Sequence, residues 1–390
     1  MMIQRHLSEA IQATCSQYPV ISVTGPRQSG KTTLLQNLLP EYRYVNFETV
    51  ANRRFFQEDP LGFLRTYDKY VIFDEAQRVP DLFSYLQTKT DEDKIMGQYI
   101  LSGSQNFLLL ESISQSLAGR VAIFRLLPLS HAELVANKPN LRKNDAAEMI
   151  LMGGYPAIFA RNLPISRYYQ NYLETYVERD ARHVVNIRDL SAFQQFIRLC
   201  AGRAGQILNL QSLASDVGIS VATTKNWLSI LETSYILFQL PPFFENFSKR
   251  LIKSPKIYFY DTGLLCHLLG LETAQQVAQY HQRGSLFENM VITELLKNRI
   301  NADKRPQFFF WQDSHKVEVD LVELAGLQTH LYEVKYSYTP SSDFVKGIKS
   351  FRENVAELRI NGNNYVIYVG EERQLRTHAD LESWLSLPNL

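Results

Sequence analysis

Eight consecutive residues carry the clearest chemistry in this chain: Gly25-Pro26-Arg27-Gln28-Ser29-Gly30-Lys31-Thr32, followed by Thr33. They fit the pattern G-x-x-x-x-G-K-[ST]. Glycines let a backbone curl until its N–H groups converge on phosphate oxygens. A helix opening at Lys31 would add the positive end of its dipole. Lys31 is placed to reach the β- and γ-phosphates, and the Thr32 hydroxyl to bind Mg²⁺. The nine residues Gly25 to Thr33 are therefore the expected ATP-binding loop.

A second chemical signal is "YVIFDEAQ", four apolar residues ending in Asp74-Glu75. An acid at the tip of a buried strand is costly unless it meets a cation. Asp74 would support the Mg²⁺ shell, and Glu75 would polarise the attacking water as general base. "QYILSGSQ" repeats the design and offers Ser104 as a sensor of the γ-phosphate. "SLAGRVAIF" places Arg120 before the next strand, as a candidate arginine finger. If that finger acts on a neighbouring subunit, the enzyme must be a homo-oligomer.

A third signal lies near the end. In "VEVDLVE" and "LYEVKYS", strand alternation puts Glu318 and Asp320 on one face and lets Glu333 and Lys335 share it. Asp320, Glu333 and Lys335 are the ingredients of a PD-(D/E)-x-K nuclease site. Asp320 and Glu333 would bind a metal ion, and Lys335 would orient a water. Glu288, on the helix before, would supply an extra acid. Valine rather than proline precedes Asp320, which leaves cleavage in doubt. His315 reads as a loop residue, not a ligand.

These residues need elements to hold them. "YPVISVTG", "YRYVNFE", "YVIFDEA", "QYILSGS" and "RVAIFRLLPL" are short apolar runs separated by helical patterns, which predicts a parallel sheet covered by helices. The chain then becomes helical and rich in Tyr and Arg. "NLQSLASDVGISVATTKNWLSILE" predicts a helix–turn–helix with Gly218 at the turn and Ser220 capping the second helix. Thr223, Thr224, Lys225 and Asn226 would be exposed on it, facing double-stranded DNA. Lys249, Arg250, Lys253 and Lys256 would form a basic hairpin behind it. Four late strands and a closing helix, "ADLESWL", complete the pattern.

"GPRQSGKTT", "IFDEAQ", "LSGSQ" and "LAGRV…LLPLSHAEL" resemble the AAA-type ATPases of the AAA_14 group. "GGYPAIF", "YVERDAR", "YFYDTGLL" and "GSLFENMVITEL…EVDLVEL…YEVKYS" resemble the DUF4143 region that follows them. The resemblance implies an α/β protein: a P-loop parallel-sheet ATPase domain (1–130), a helical lid (131–205), a winged-helix domain (206–270) and a PD-(D/E)xK nuclease-like α/β domain (271–390). It also implies an inserted second acid-bearing strand, consistent with Glu75 as the base.

Composition narrows the field. The 390 residues are 45% hydrophobic and 21% charged, with a net charge of +1. Such a chain is globular, and nucleic acid would have to be met by local patches, not bulk charge. Cys15, Cys200 and Cys266 are scattered, without metal-ligand spacing, as expected of a reducing compartment. With no signal-like or membrane-spanning run, the expected location is cytoplasmic, with no membrane partner. Two functions compete: an ATPase acting on DNA, and a nucleotide-regulated switch that docks a protein partner on an inactive nuclease-like fold. A small-molecule kinase would not need Arg120 or the long extra domains.

Overall fold

Strand β1 (Val20–Thr24) is buried at every position, as a central strand of a covered parallel sheet must be. The computed structural model describes residues 3–104, 113, 115–143, 145–176, 189–244, 254–355 and 362–389. With β2 (Arg43–Asn46), β3 (Val71–Asp74), β4 (Tyr99–Gly103) and β5 (Val121–Arg125), β1 forms a five-stranded sheet in the order β2-β3-β4-β1-β5. All its pairings are parallel. Alternation sorts the side chains into two cores. Val20, Val71, Phe73, Tyr99 and Leu101 join one cluster, while Ile21, Val23, Ile72 and Ile100 join the other. The second is covered by helices α1 (Leu7–Thr14) and α2 (Lys31–Leu38), which contribute Leu7, Ile11, Leu34 and Leu35.

Contacts divide the chain into two compact units. The first comprises Met1–Leu129 with Thr233–Tyr235 and Ile300–Lys304, and the second comprises the remainder. The second opens with a capped helix at His131–Asn137. Ser130 and Glu133 exchange side-chain and backbone bonds there, a reciprocal capping box. Two sequence motifs meet within this unit. Asp261 is fully buried and accepts from the Gly154 N–H and the Tyr169 hydroxyl, both at 2.7 Å. It also caps the helix that follows it through the Leu264 N–H.

Helices α3 (Leu210–Val217) and α4 (Val221–Thr233) form the helix–turn–helix. Gly218 takes the left-handed conformation at the turn, with φ 79°. Ser220 Oγ accepts from the Thr223 N–H at 3.0 Å, the expected cap. Lys225 and Asn226 are exposed, but Thr224 is not. Its side chain is fully buried and bonds back to the Ser220 carbonyl. The reason is helical phase: Thr224 lies on the stripe of Trp227, Leu228 and Leu231. Strands β6 (Leu237–Leu240) and β7 (Lys256–Phe259) pair antiparallel after α4. Of the basic hairpin, Lys256 is described; Lys249, Arg250 and Lys253 lie outside the described residues.

The C-terminal sheet is mixed. Helix α5 (Arg283–Asn301) precedes β8 (Phe308–Gln312), β9 (Glu318–Ala325), β10 (Gln328–Lys335), β11 (Asn364–Tyr368) and β12 (Asp380–Ser383). Their order is β12-β11-β10-β9-β8. Strands β8, β9 and β10 pair antiparallel, and β10, β11 and β12 pair parallel. The stretch "ADLESWL" is thus no helix. Asp380–Ser383 add an edge strand, and only Trp384–Asn389 turn, as a 3₁₀ helix. Leu381 is buried in the sheet's core, and β11 satisfies the backbone that a helix would have satisfied internally.

Candidate nucleotide site and a second charged cluster

The phosphate-binding loop follows β1 and opens α2, at the carboxyl end of the parallel strands. Gly25 has φ 150°, and a Cβ there would stand 2.2 Å from the Leu126 carbonyl oxygen. Gln28 (φ 60°) and Gly30 (φ 94°) also take positive φ, curling the loop. Pro26 and Ser29 are buried, Arg27 is half-buried, and Gln28 and Thr33 are exposed. The Ser29 hydroxyl is buried and has no hydrogen-bond partner among the described residues, an orphan that a bound phosphate oxygen would satisfy. Lys31, 6% exposed, turns its ammonium onto the loop's own carbonyls, Gly25 O at 2.9 Å and Pro26 O at 2.8 Å.

Asp74, the last residue of β3, sits against this loop. Thr32 Oγ1 donates to Asp74 Oδ2 at 2.8 Å, so the two side chains that would hold a divalent ion already touch. Tyr44 donates to the same oxygen at 2.6 Å, and Ser102 donates to Oδ1. Glu75 takes the left-handed conformation, φ 54°, which bends its side chain out of the strand's alternation. Gln77 Nε2 holds its Oε2 at 2.6 Å and Ser104 Oγ approaches at 3.3 Å. Asp74, Glu75, Thr32 and Ser104 are therefore gathered in one place.

Two supports were invisible in the motif. Arg5, 5% exposed, donates to the Ser29 carbonyl at 2.8 Å and to the Leu127 carbonyl at 2.6 Å. It braces the outside of the loop. Tyr44 fixes Asp74 from β2. At the loop's root, Thr24 Oγ1 lies 2.9 Å from the Tyr235 hydroxyl. Tyr235 is in the segment just after α4 that belongs to the first compact unit.

Residues 17–135 match the AAA_14 model, described as an AAA domain, and residues 283–390 match DUF4143, a domain of unknown function. The first part of the chain is thus an AAA_14-type P-loop ATPase domain, and its last part a DUF4143 region. Residues 143–275, between them, match a further domain of unknown function, DUF8612. Over 381 residues this ATPase is 29% identical to uncharacterized protein Rv2008c of Mycobacterium tuberculosis and to uncharacterized protein Mb2031c of Mycobacterium bovis. The matches cover 96% of this chain and 82% of each relative. Among solved structures, the Walker-type ATPase PABY2304 of Pyrococcus abyssi is 17% identical, with a TM-score of 0.45 over 69% of this chain and 96% of that one. DnaA of Aquifex aeolicus bound to AMPPCP is also 17% identical, with a TM-score of 0.32 over 58% of this chain and 85% of that one.

The structure does not bring Arg120 into its own chain's ATPase site. Arg120 precedes β5, and its carbonyl accepts from Val20 N, at the amino end of β1. The loop lies at the other end of that five-residue strand, about 16 Å away at the usual rise. The guanidinium instead pairs with Asp91 at 2.6 and 2.7 Å on the surface.

In the DUF4143 region Asp320, Glu333 and Lys335 do meet. Lys335 Nζ lies 2.5 Å from Glu333 Oε2 and 3.6 Å from Asp320 Oδ2. Simple alternation does not hold along the whole of β9. Val322 faces Phe309 and Val319 faces Trp311, so three β9 residues span two of β8, a bulge. At this irregularity Asp320 Oδ2 accepts from the Val334 N–H of β10 at 2.7 Å. Sequence reasoning gave Lys256 of β7 to an exposed basic hairpin and passed over Tyr258, but Lys256 is buried, because the acids of this cluster neutralise it better than solvent-facing DNA contact would allow. Lys256 Nζ lies 2.7 Å from Glu318 Oε1 and 3.2 Å from Glu288 Oε1, and Tyr258 donates to Glu288 at 2.5 Å. Burial, with Asp320 adding to it, pushes Glu288 up to about 7 against the pull of Lys256. Burial and Asp320 push Glu333 up to about 8. Lys335 and Lys256 are raised by their carboxylates despite burial. His315 is exposed in a turn before β9.

Proposed function

We propose that this ATPase hydrolyses ATP with Mg²⁺ and that double-stranded DNA, engaged through the helix–turn–helix, controls its turnover. The hydrolytic part rests on one observation: Thr32 of the phosphate loop donates to Asp74, and the next residue, Glu75, gives its own N–H to the same carboxylate. Thr32 and Asp74 would hold the ion, which neutralises phosphate charge when bound. Lys31 leaves the Gly25 and Pro26 carbonyls for the phosphates. Glu75, steadied by Gln77 and Ser104, takes the proton of the attacking water.

The DNA part is supported by the exposed Lys225 and Asn226 on the second helix of the helix–turn–helix. That helix runs directly into Tyr235, which touches the residue before Gly25. A shift of α4 thereby has a short covalent route to the root of the loop. The lid (131–205), winged-helix (206–270) and nuclease-like (271–390) assignments, a cytoplasmic location and a homo-oligomer with Arg120 acting between subunits belong to the same proposal.

The test is ATP turnover with and without duplex DNA across a salt series. Stimulation that falls steeply with salt is expected, because phosphate contacts release counterions. Turnover indifferent to DNA would refute the DNA part and favour the second reading, a nucleotide-set switch for a protein partner. One observation favours that alternative: Lys225 is the only basic residue on α4.

A further inference from the structure

A nuclease of the PD-(D/E)xK type uses its carboxylates to hold a divalent ion, and the donor set here does not fit one. Four acids, Glu288, Glu318, Asp320 and Glu333, converge from α5, β9 and β10, but two ammonium groups already lie among them. Among the described residues, no group of three or more His, Cys, Asp and Glu is arranged to hold a metal ion. Lys335 is the lysine such a motif leads one to expect. Lys256 is not: it comes from β7, outside the strands that carry the motif.

Lys256 is also held too firmly to be a passing surface charge. It is 2% exposed. Its ammonium bridges Glu288 on α5 and Glu318 on β9, and lies 5.5 Å from the centre of the Phe310 ring. Its backbone is pinned from two directions, paired with Leu240 of β6 and bridged to Ile207. The neighbouring Tyr258 hydroxyl takes Glu288 as well. The other acids are spoken for: Asp320 accepts from Val334 N, and Glu333 carries Lys335. The helix Lys346–Asn354 closes over the pocket so tightly that a Cβ on Gly347 would stand 2.1 Å from Glu333 Oε1.

We propose that Lys256 is the resident cation of this pocket, and that the acidic socket binds the chain's own β7 in place of a metal ion. A tethered ammonium acts at high effective concentration. Mg²⁺ must shed tightly held water to compete with it, and removing the lysine would leave buried charges uncompensated. The C-terminal fold is then a clamp on β7, the second strand after the helix–turn–helix, and it does not cut phosphodiesters. The proposal is independent of ATP hydrolysis.

Mn²⁺ is the probe, counted by electron paramagnetic resonance on the full-length protein without nucleotide. Wild type and the Asp320→Asn/Glu333→Gln variant should bind the same amount. A bound ion present in wild type and lost in that variant would overturn the proposal. So would Mg²⁺-dependent cleavage of duplex DNA that disappears in Lys335→Ala. Lys256→Ala should gain a single Mn²⁺ ion, lost again when Glu288→Gln is added, and its thermal midpoint should rise with Mn²⁺. A folded Lys256→Ala that takes up no ion would show that the ammonium does not stand in for one. If Lys256→Ala does not fold, the wild-type comparison still decides.

Discussion

Glu75→Gln should separate binding from hydrolysis in this ATPase. The amide keeps the size of the carboxylate but cannot take a proton from water. Glu75 touches neither Lys31 nor Thr32 in the described contacts; its partners are Gln77 and Ser104. Nucleotide affinity should therefore change by less than about threefold, under roughly 0.7 kcal/mol. Turnover should fall much further. General-base catalysis contributes about 10²–10⁴-fold, and each tenfold step corresponds to about 1.36 kcal/mol of barrier. The expected penalty is thus about 2.7–5.5 kcal/mol on the hydrolytic step alone. Single-turnover hydrolysis measured beside equilibrium binding of a fluorescent ATP analogue reads the two quantities independently. Hydrolysis by Glu75→Gln within about threefold of wild type would refute Glu75 as the base. Equal losses in affinity and rate would also refute it, placing Glu75 among the binding groups.

Four further outcomes follow from the geometry. Lys31→Ala should weaken ATP binding by at least about a hundredfold, since it removes charge-assisted contacts of roughly 1.5–3 kcal/mol each; calorimetric titration checks this. Gly25→Ala forces a Cβ into the Leu126 carbonyl, and overpacking of about 1–3 kcal/mol should appear as a lower thermal midpoint together with weaker nucleotide binding. Arg120→Ala should leave thermal stability unchanged and reduce turnover only at protein concentrations where the chain self-associates; a loss that persists in the monomer would exclude a role between subunits. Finally, Glu288 and Glu333 titrate near 7 and 8 in the fold, above the ordinary 4.5. The folded state therefore holds protons that the unfolded chain has lost, so stability should rise as pH falls through about 8 and about 7, and chemical denaturation across that window reads the slope.

The phosphate loop was legible in the sequence because its residues are contiguous: the positive-φ residues that curl it all lie between Gly25 and Thr33. The place of Asp74 and Glu75 at the end of a buried strand was legible because an acidic pair closing an apolar run has few cheap explanations. Arg5 and Tyr44 were not, since each reaches the site from an element that carries no motif. Thr224 was misjudged because polarity was read before helical phase, and "ADLESWL" because its apolar spacing fits a helix as well as an edge strand. In the C-terminal region the motif strands were readable, but the β9 bulge depends on pairing with β8, and Lys256 on packing between distant segments.

The two acidic sites of the chain differ in what neutralises them, and that difference separates their chemistry. The hydrogen bonds given to Asp74 come from neutral groups: the hydroxyls of Thr32, Tyr44 and Ser102 and the Glu75 N–H. Such a carboxylate can exchange a hydroxyl contact for a cation without expelling a charge. In the C-terminal sheet Glu318 and Glu333 each face an ammonium within 2.7 Å. A metal ion arriving there must displace a tethered, buried counter-charge, and the cost of stranding it works against the exchange. On the proposed function, the Asp74 carboxylate is the one that would receive a metal ion, whereas the carboxylates of Glu318 and Glu333 already face a cation.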